Sequence, residues 1–383
     1  MRVALIVPGG VGRDGVHLVI PALLDLIGEL ALRNEVLVAA LEQGREPESY
    51  ELRGARVCCL GQAPLPTRLA RLLGVLRPFR PELLHSFWLG STSTLAALAG
   101  LWLGTPLVAS LGGGELVGLR EIGYGGQLSA RGRLHAALAV RTARAVTAGS
   151  RYALAPLLRR RPDARWLPLG ARVPAAATVE RPAGPPWRLL HVASINRVKG
   201  PLLLLDAIAV ARDELRARTG YAEPLTLDWA GLDLLDGEAQ RRAQALGLAQ
   251  VARFHGWLPH SAVQAFCAEA HLYVQASYHE SQGVAVCEAA AAGVPTVGTA
   301  VGLVAELAPN AALAVPPGDA RALGRTIAAI LTEPGRRETI GRAAQGWARA
   351  HDATWTAAQL EEIYRGVAAA APAQPQEEPW PTA

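Results

Sequence analysis

Three stretches of the sequence carry side chains whose types and spacing could do chemistry. In Ser194-Ile195-Asn196-Arg197-Val198-Lys199-Gly200, two cations stand two residues apart in a loop between a strand-like and a helix-like segment. So placed, Arg197 and Lys199 can converge on one diphosphate and neutralise it as a bond to it breaks, with Ser194 and Asn196 as polar neighbours. In Glu280-Ser281-Gln282-Gly283-Val284-Ala285-Val286-Cys287-Glu288, Gly283 is expected to begin a helix that stops at Gly293-Val294-Pro295. The free amides at that start, from Gly283 and Val284 onward, form a second anion site. Glu280 then lies in the loop above the helix and Glu288 about one and a half turns inside it, so both carboxylates can face one pocket. Carboxylates accept hydrogen bonds from sugar and ribose hydroxyls. A solvated basic loop and a pair of surface charges are the bland alternatives. Against them, Glu288 sits among Val284, Ala285, Val286, Ala289 and Ala290, where an unpartnered carboxylate is costly.

Lys199 is the one lysine among 38 basic residues. A position that keeps lysine in an arginine background suits a compact ammonium on a flexible stem, which binds phosphate as a point charge. Chance survival of one lysine is the competing explanation.

The third stretch, Gly9-Gly10-Val11-Gly12-Arg13-Asp14-Gly15, follows the first strand-like run, and Gly10, Gly12 and Gly15 satisfy the G-x-G-x-x-G spacing. With a helix expected near Val16 to Leu32, glycines there would bring backbone amides to a pyrophosphate, and NAD is the ligand implied. Against that, Pro8 precedes the glycines and no acidic residue closes the second strand to hold a ribose, Glu42 coming late. Two other readings stay open: Gly10 and Gly12 facing an acceptor or leaving phosphate across a cleft, and a plain strand-to-helix turn.

These stretches need elements to hold them. Apolar runs alternate with helical patterns at Val3 to Val7, Glu35 to Ala40, Ala55 to Leu60, Leu83 to His85, Pro106 to Ser110 and Ala145 to Ala148. The rhythm restarts with Trp187 to Val192, a helix near Pro201 to Arg218, then Leu225 to Ala230, Val251 to Phe254, Leu272 to Gln275, Thr296 to Gly298 and Ala312 to Val315. Such alternation predicts an α/β chain with two doubly wound parallel sheets in tandem. Ligands of these sheets bind beyond the carboxyl ends of the strands, which puts the site in the cleft between the halves. Residues 1–172 are read as the first domain, the proline-rich 173–186 as a linker and 187–350 as the second domain. Residues 351–370 are read as a terminal helix that can return to the first domain, and 371–383 as a flexible tail.

A length of 383 residues suits two cores. The net charge of +5 comes from dispersed arginines and does not point to nucleic acid. It would help to attract an anionic donor or membrane surface. Cys58, Cys59, Cys267 and Cys287 lack metal-ligand spacing, and no leader pattern precedes Val3-Ala4-Leu5-Ile6-Val7, so a reducing cytoplasm is expected. Leu95 to Ala109 is broken by Gly104-Thr105-Pro106 and too short to span a bilayer. Leu69 to Arg80, with Arg71, Arg77 and Arg80, is a candidate basic amphipathic patch for the inner face of a membrane, against the alternative of a solvated helix.

Taken together, these residues resemble the retaining glycosyltransferases of the GT-B fold, in particular the large family 4, also called glycosyl transferases group 1. The most specific element is that family's Glu-x7-Glu motif, matched by Glu280 and Glu288 with Gly283 between them. H-G-W-L-P-H at His255 to His260 precedes it and A-A-A-G-V-P-T-V follows it. The resemblance implies two Rossmann-like domains facing across a cleft, the first taking a glycan or lipid-linked acceptor and the second a nucleotide-sugar donor. It further implies that Glu280 holds hydroxyls of the donor sugar, Glu288 the ribose, and Lys199 with a neighbouring arginine the diphosphate, with neither metal nor cofactor. Retention of anomeric configuration is likewise an implication of the family. Three departures stand out. Ser194 occupies the place of the family's usual arginine, so Arg197 is the expected substitute. Leu111-Gly112 replaces a common His-Gly, and Gln282 replaces a common aromatic residue. The alternatives are an NAD-dependent oxidoreductase using the Gly10-Gly12-Gly15 loop, a non-catalytic nucleotide-sugar-binding protein, and a pyridoxal-dependent phosphorylase that would spend Lys199 on its cofactor.

Overall fold

The computed structural model describes residues 1–173, 181 and 184–370; the expected tail 371–383 and most of the expected linker 173–186 lie outside the described residues. Eight strands build a first sheet: β1 (Arg2–Val7), β2 (Glu35–Ala40), β3 (Glu48–Leu52), β4 (Ala55–Cys59), β5 (Leu83–Phe87), β6 (Leu107–Leu111), β7 (Ala145–Ala148) and β8 (Arg165–Trp166). Their order is β3-β4-β2-β1-β5-β6-β7-β8. The second sheet holds β9 (Trp187–Val192), β10 (Leu225–Ala230), β11 (Ala252–Gly256), β12 (Leu272–Gln275), β13 (Thr296–Thr299) and β14 (Leu313–Val315), in the order β11-β10-β9-β12-β13-β14. The central strands are apolar throughout because helices cover both faces: Val3 to Val7 of β1 are wholly buried.

Two expectations change. The helix expected from Val16 begins at Pro21 and runs Pro21–Ala31. The Asp14 carboxylate binds the amides of Val16 and His17 and fixes a turn there, while the amide of Ile20 donates to Gly10 O, so residues 10–20 fold back on themselves. Nor is the first sheet purely parallel: β3 pairs antiparallel with β4 through Arg53 and Gly54, both at positive φ, a tight hairpin that the Arg-Gly pair does not announce.

The helix Leu65–Phe79 spends its apolar face, Leu72, Leu73 and Leu76, on the core. Arg71 donates to Leu60 O and Arg68 pairs with Glu42, while Arg77 and Arg80 stay exposed. No helix among the described residues is long and apolar enough to cross a membrane.

The last helix, Ala353–Ala369, packs Leu360, Ile363 and Tyr364 into the core of the first sheet. Tyr364 OH lies 2.6 Å from His85 Nδ1, and His85 Nε2 lies 2.8 Å from Ser110 Oγ. Both nitrogens of a fully buried imidazole are thereby satisfied, and burial pushes its pKa down to about 3.

Candidate active site

In the second sheet, β9 lies between β10 and β12, so the chain leaves it in opposite directions and the loops after β9 and β12 part at a crevice. Residues 194–199 lie in the first loop and residues 277–283 in the second. Asn196 Oδ1 accepts the amide of Lys199 and caps the short turn Arg197–Lys199. Gly200, at φ +63°, lets the loops touch: a Cβ there would stand 2.2 Å from Ala276 O. That contact brings Lys199 Nζ to 2.6 Å from Glu280 Oε1, which also accepts from Ser277 Oγ at 2.7 Å. One oxygen of Glu280 thus anchors the ammonium, while Oε2 makes no hydrogen bond with the described residues. Arg197 is exposed and pairs with no carboxylate among them, and Ser194 is half-buried at the start of the loop.

Gly283, at φ +91°, opens the helix Val284–Ala291, whose first amides have no turn before them to bind. Glu288 lines a space of about 40 Å³ with Asp25, Arg172, His260 and Gln264. His260 Nδ1 lies 3.8 Å from Glu288 Oε1, and burial together with the Asp25 charge pushes the Glu288 carboxyl up to about 7. Burial pushes the pKa of Tyr273 well up, and the charges of Glu280 and Glu288 both add to that rise. The two glutamates therefore act on one buried side chain between them.

The first sheet closes over this loop. Gln282 Oε1 accepts from Leu169 N and Gln282 Nε2 donates to Leu169 O, each at 2.8 Å. Ser150 Oγ donates to Ser281 O at 2.5 Å, and His17 stacks on Trp257 with centroids 4.6 Å apart. Beyond β6, Glu115 is half-buried and accepts the amides of Leu89, Gly112 and Gly113. Burial still raises its pKa, and its carboxylate knots the glycine run into a fixed loop. Gly114 has no room for a Cβ, which would lie 2.5 Å from the Tyr124 ring. Burial raises the pKa of Tyr124, the charges of Glu280 and Glu115 add to it, and its ring centroid lies 6.1 Å from that of His279.

Other sequence-level candidates fall elsewhere. Gln43 Oε1 already takes the amides of Gly10 and Val11 at 2.8 and 3.3 Å. Gly12 is held by sterics, because a Cβ would meet His17 O at 1.9 Å. The helix that a dinucleotide loop should open starts only at Pro21, so the NAD reading loses its helix terminus. His85 and Ser86, near the end of β5, are wholly buried and bonded internally. Glu115, Tyr124, Ser277 and His279 are site residues that sequence reasoning missed. For Glu115 the one signal was an acid directly after Gly112-Gly113-Gly114. Among the described residues no group of three or more His, Cys, Asp or Glu could hold a metal ion.

Residues 177–347 match the model of the family described as glycosyl transferases group 1. The chain is 32% identical over 182 residues to a D-inositol 3-phosphate glycosyltransferase of Kribbella flavida, a match covering 46% of this chain and 43% of that protein. The chain thus spans less than half the length of this curated relative. It is 30% identical over 304 residues to a 2-deoxystreptamine N-acetyl-D-glucosaminyltransferase of Streptomyces fradiae, covering 74% of this chain and 71% of the relative. Among solved structures, that of Anabaena HepE in complex with UDP-glucose superposes with a TM-score of 0.74 at 18% identity, over 96% of this chain and all of that one. At that identity the likeness is one of fold, the two-sheet GT-B architecture.

Proposed function

Because the chain belongs to the family of glycosyl transferases group 1, we propose that it moves a sugar from a nucleoside-diphosphate donor to a hydroxyl of a glycan, lipid-linked or small-molecule acceptor. Lys199 and Arg197 meet the diphosphate, flanked by Ser194, Asn196 and the amides at Gly283 and Val284. Glu280 offers Oε2 to hydroxyls of the transferred sugar, and Glu288 holds the ribose. Gly10 and Gly12 shape the wall on the acceptor side. As the anomeric carbon–oxygen bond breaks, negative charge gathers on the departing diphosphate, and fixed cations stabilise that charge more than they stabilise the bound donor. The acceptor oxygen bonds to the same carbon and passes its proton to the departing diphosphate, with retention of configuration as part of the proposal. The donor brings its own leaving group, so the reading calls for no resident cofactor. The UDP-glucose held by the Anabaena structure makes a UDP-sugar the first donor to try.

The observation that carries this reading is the Lys199–Glu280 pair, which poises an ammonium for phosphate and a free carboxylate oxygen for hydroxyls in one crevice. Thermal unfolding with UDP, GDP, ADP and NAD tests it on the unmodified chain, Lys199→Ala and Glu288→Ala. A shift with one diphosphate that shrinks in both variants is expected. A shift with NAD alone, untouched by either change, would sink the reading.

For location, we propose a peripheral seat on the cytoplasmic, anionic face of a membrane. Support comes from the helix Ser91–Leu103, where Leu101 and Trp102 are 72% and 68% exposed, and from exposed Leu134 on the helix Ala130–Thr142. Arginines rim these apolar groups: Arg77 lies 6.0 Å from the Trp102 ring, and Arg141 and Arg144 line a groove with Leu101. Co-sedimentation with phosphatidylglycerol vesicles, lost in Trp102→Ser and absent with phosphatidylcholine, is the expected result. Binding unchanged by Trp102→Ser would refute it.

A further inference from the structure

His279 stands next to Glu280 in sequence and is only 6% exposed, yet its Nε2 has no hydrogen-bond partner among the described residues. An unpartnered buried nitrogen is destabilising, which calls for a partner arriving with a ligand. Its surroundings define that ligand. The ring belongs to the second half of the molecule but is enclosed by the first, with Tyr124 and Tyr152 at centroid distances of 6.1 and 5.8 Å. The Gly113 backbone lies within hydrogen-bonding reach of the ring and raises its pKa, on a glycine loop that carries no imidazole of its own, and the charges of Glu280 and Lys199 both reach it. Burial holds its pKa below the ordinary histidine value, so the ring is neutral at neutral pH.

A neutral imidazole nitrogen is a donor or an acceptor according to tautomer, and a hydroxyl satisfies either, being both itself. A phosphate oxygen only accepts, and Lys199 already answers that need. We propose that His279 Nε2 binds a hydroxyl of the transferred sugar beside Glu280, making it a second sugar-contacting residue of the motif loop. Its position between the two halves means that the sugar is gripped only when the cleft is closed, since Tyr124, Tyr152 and Gly113 come from the first half of the chain. The inference rests on the transferase reading above.

Calorimetric titration separates the two. The pairs UDP and UDP-glucose, GDP and GDP-mannose, and ADP and ADP-glucose are titrated into the unmodified chain, His279→Phe and His279→Gln. For whichever pair binds, His279→Phe is expected to weaken the sugar nucleotide about five- to tenfold, the range of one neutral hydrogen bond, and to leave the bare diphosphate within about twofold. His279→Gln, which restores an amide able to donate and accept, should recover most of the loss. If the bulkier ring prevents folding, His279→Ala reads the same difference. Equal effects on both members of a pair, or none on either, would overturn the assignment alone. Failure of the unmodified chain to bind any diphosphate would overturn the transferase reading and this assignment with it.

Discussion

The Gln282 side-chain amide is bound at both ends by the backbone of Leu169, through two 2.8 Å hydrogen bonds that cross from the Glu-x7-Glu loop to the segment just past β8. This pair locks the donor loop to the other half of the molecule at a position where the family commonly has an aromatic residue. Gly149 packs so closely that a Cβ would lie 2.3 Å from Gln282 Oε1, which leaves no room for a larger side chain. Gln282→Ala should lower stability by about 2 kcal/mol, the sum of two ordinary hydrogen bonds, and should speed hydrogen exchange at the Leu169 amide. Unchanged denaturant midpoint and unchanged protection at Leu169 would mean that the lock carries no energy.

Arg197 offers a cleaner separation of function from folding. It is exposed and unpaired, so Arg197→Ala should leave the thermal midpoint of the free protein within about 1 °C, surface changes of this kind costing under about 0.5 kcal/mol. The same change should weaken nucleoside-diphosphate binding by about tenfold at low salt, and the difference should shrink as salt is added. Wild-type affinity in Arg197→Ala would remove Arg197 from the diphosphate site.

Glu288 gives the stability a pH slope. Its folded pKa near 7 lies above the ordinary value of 4.5, so between those values the folded chain holds a proton that the unfolded chain has released. Stability therefore falls as pH rises through that window, by up to about 3 kcal/mol, with Asp25 and Arg172 the charged neighbours and His260 the titratable one. Glu288→Gln should flatten the slope and leave the variant more stable than the parent at pH 8, though poorer at binding nucleotide. Unfolding free energies at pH 5 and pH 8 measure this, and parallel slopes for the two proteins would contradict it.

Tyr364→Phe tests the anchor of the last helix. Removing the hydroxyl strands His85 Nδ1 in a wholly buried position, at a cost of about 1–3 kcal/mol. Neither residue lies in the cleft, so nucleotide-induced thermal shifts should persist on the lowered baseline. A midpoint equal to that of the parent would show that His85 finds another partner.

Alternation of apolar runs was enough to place the central strands, since burial on both faces demands unbroken hydrophobic stretches that no loop can carry. Pro201 and Gly293 likewise mark helix ends by backbone chemistry alone, through a fixed φ at a helix start and a left-handed turn past a helix end. Lys199, Glu280 and Gly283 were legible because a lone lysine, a spaced pair of acids and a glycine before an apolar helix are local patterns. The β3–β4 hairpin and the delayed helix at Pro21 were not, because the first rests on two left-handed residues and the second on one Asp14 side chain outcompeting a helical turn.

The sequence by itself determined the two sheets and the chemistry of the donor loop, because both follow from interactions between residues near in the chain. Only the tertiary structure decided that Glu280 pairs with Lys199 while Glu288 comes to line a space with Asp25. It also decided that Gln282 bridges the halves and that His279 is buried beside Tyr124 and Tyr152 of the first half, its Nε2 without a partner among the described residues. Each of these depends on residues more than eighty positions apart in the chain meeting in space. No periodicity or spacing encodes such a meeting, because it is fixed by how loops of one sheet touch and how the two sheets pack against each other.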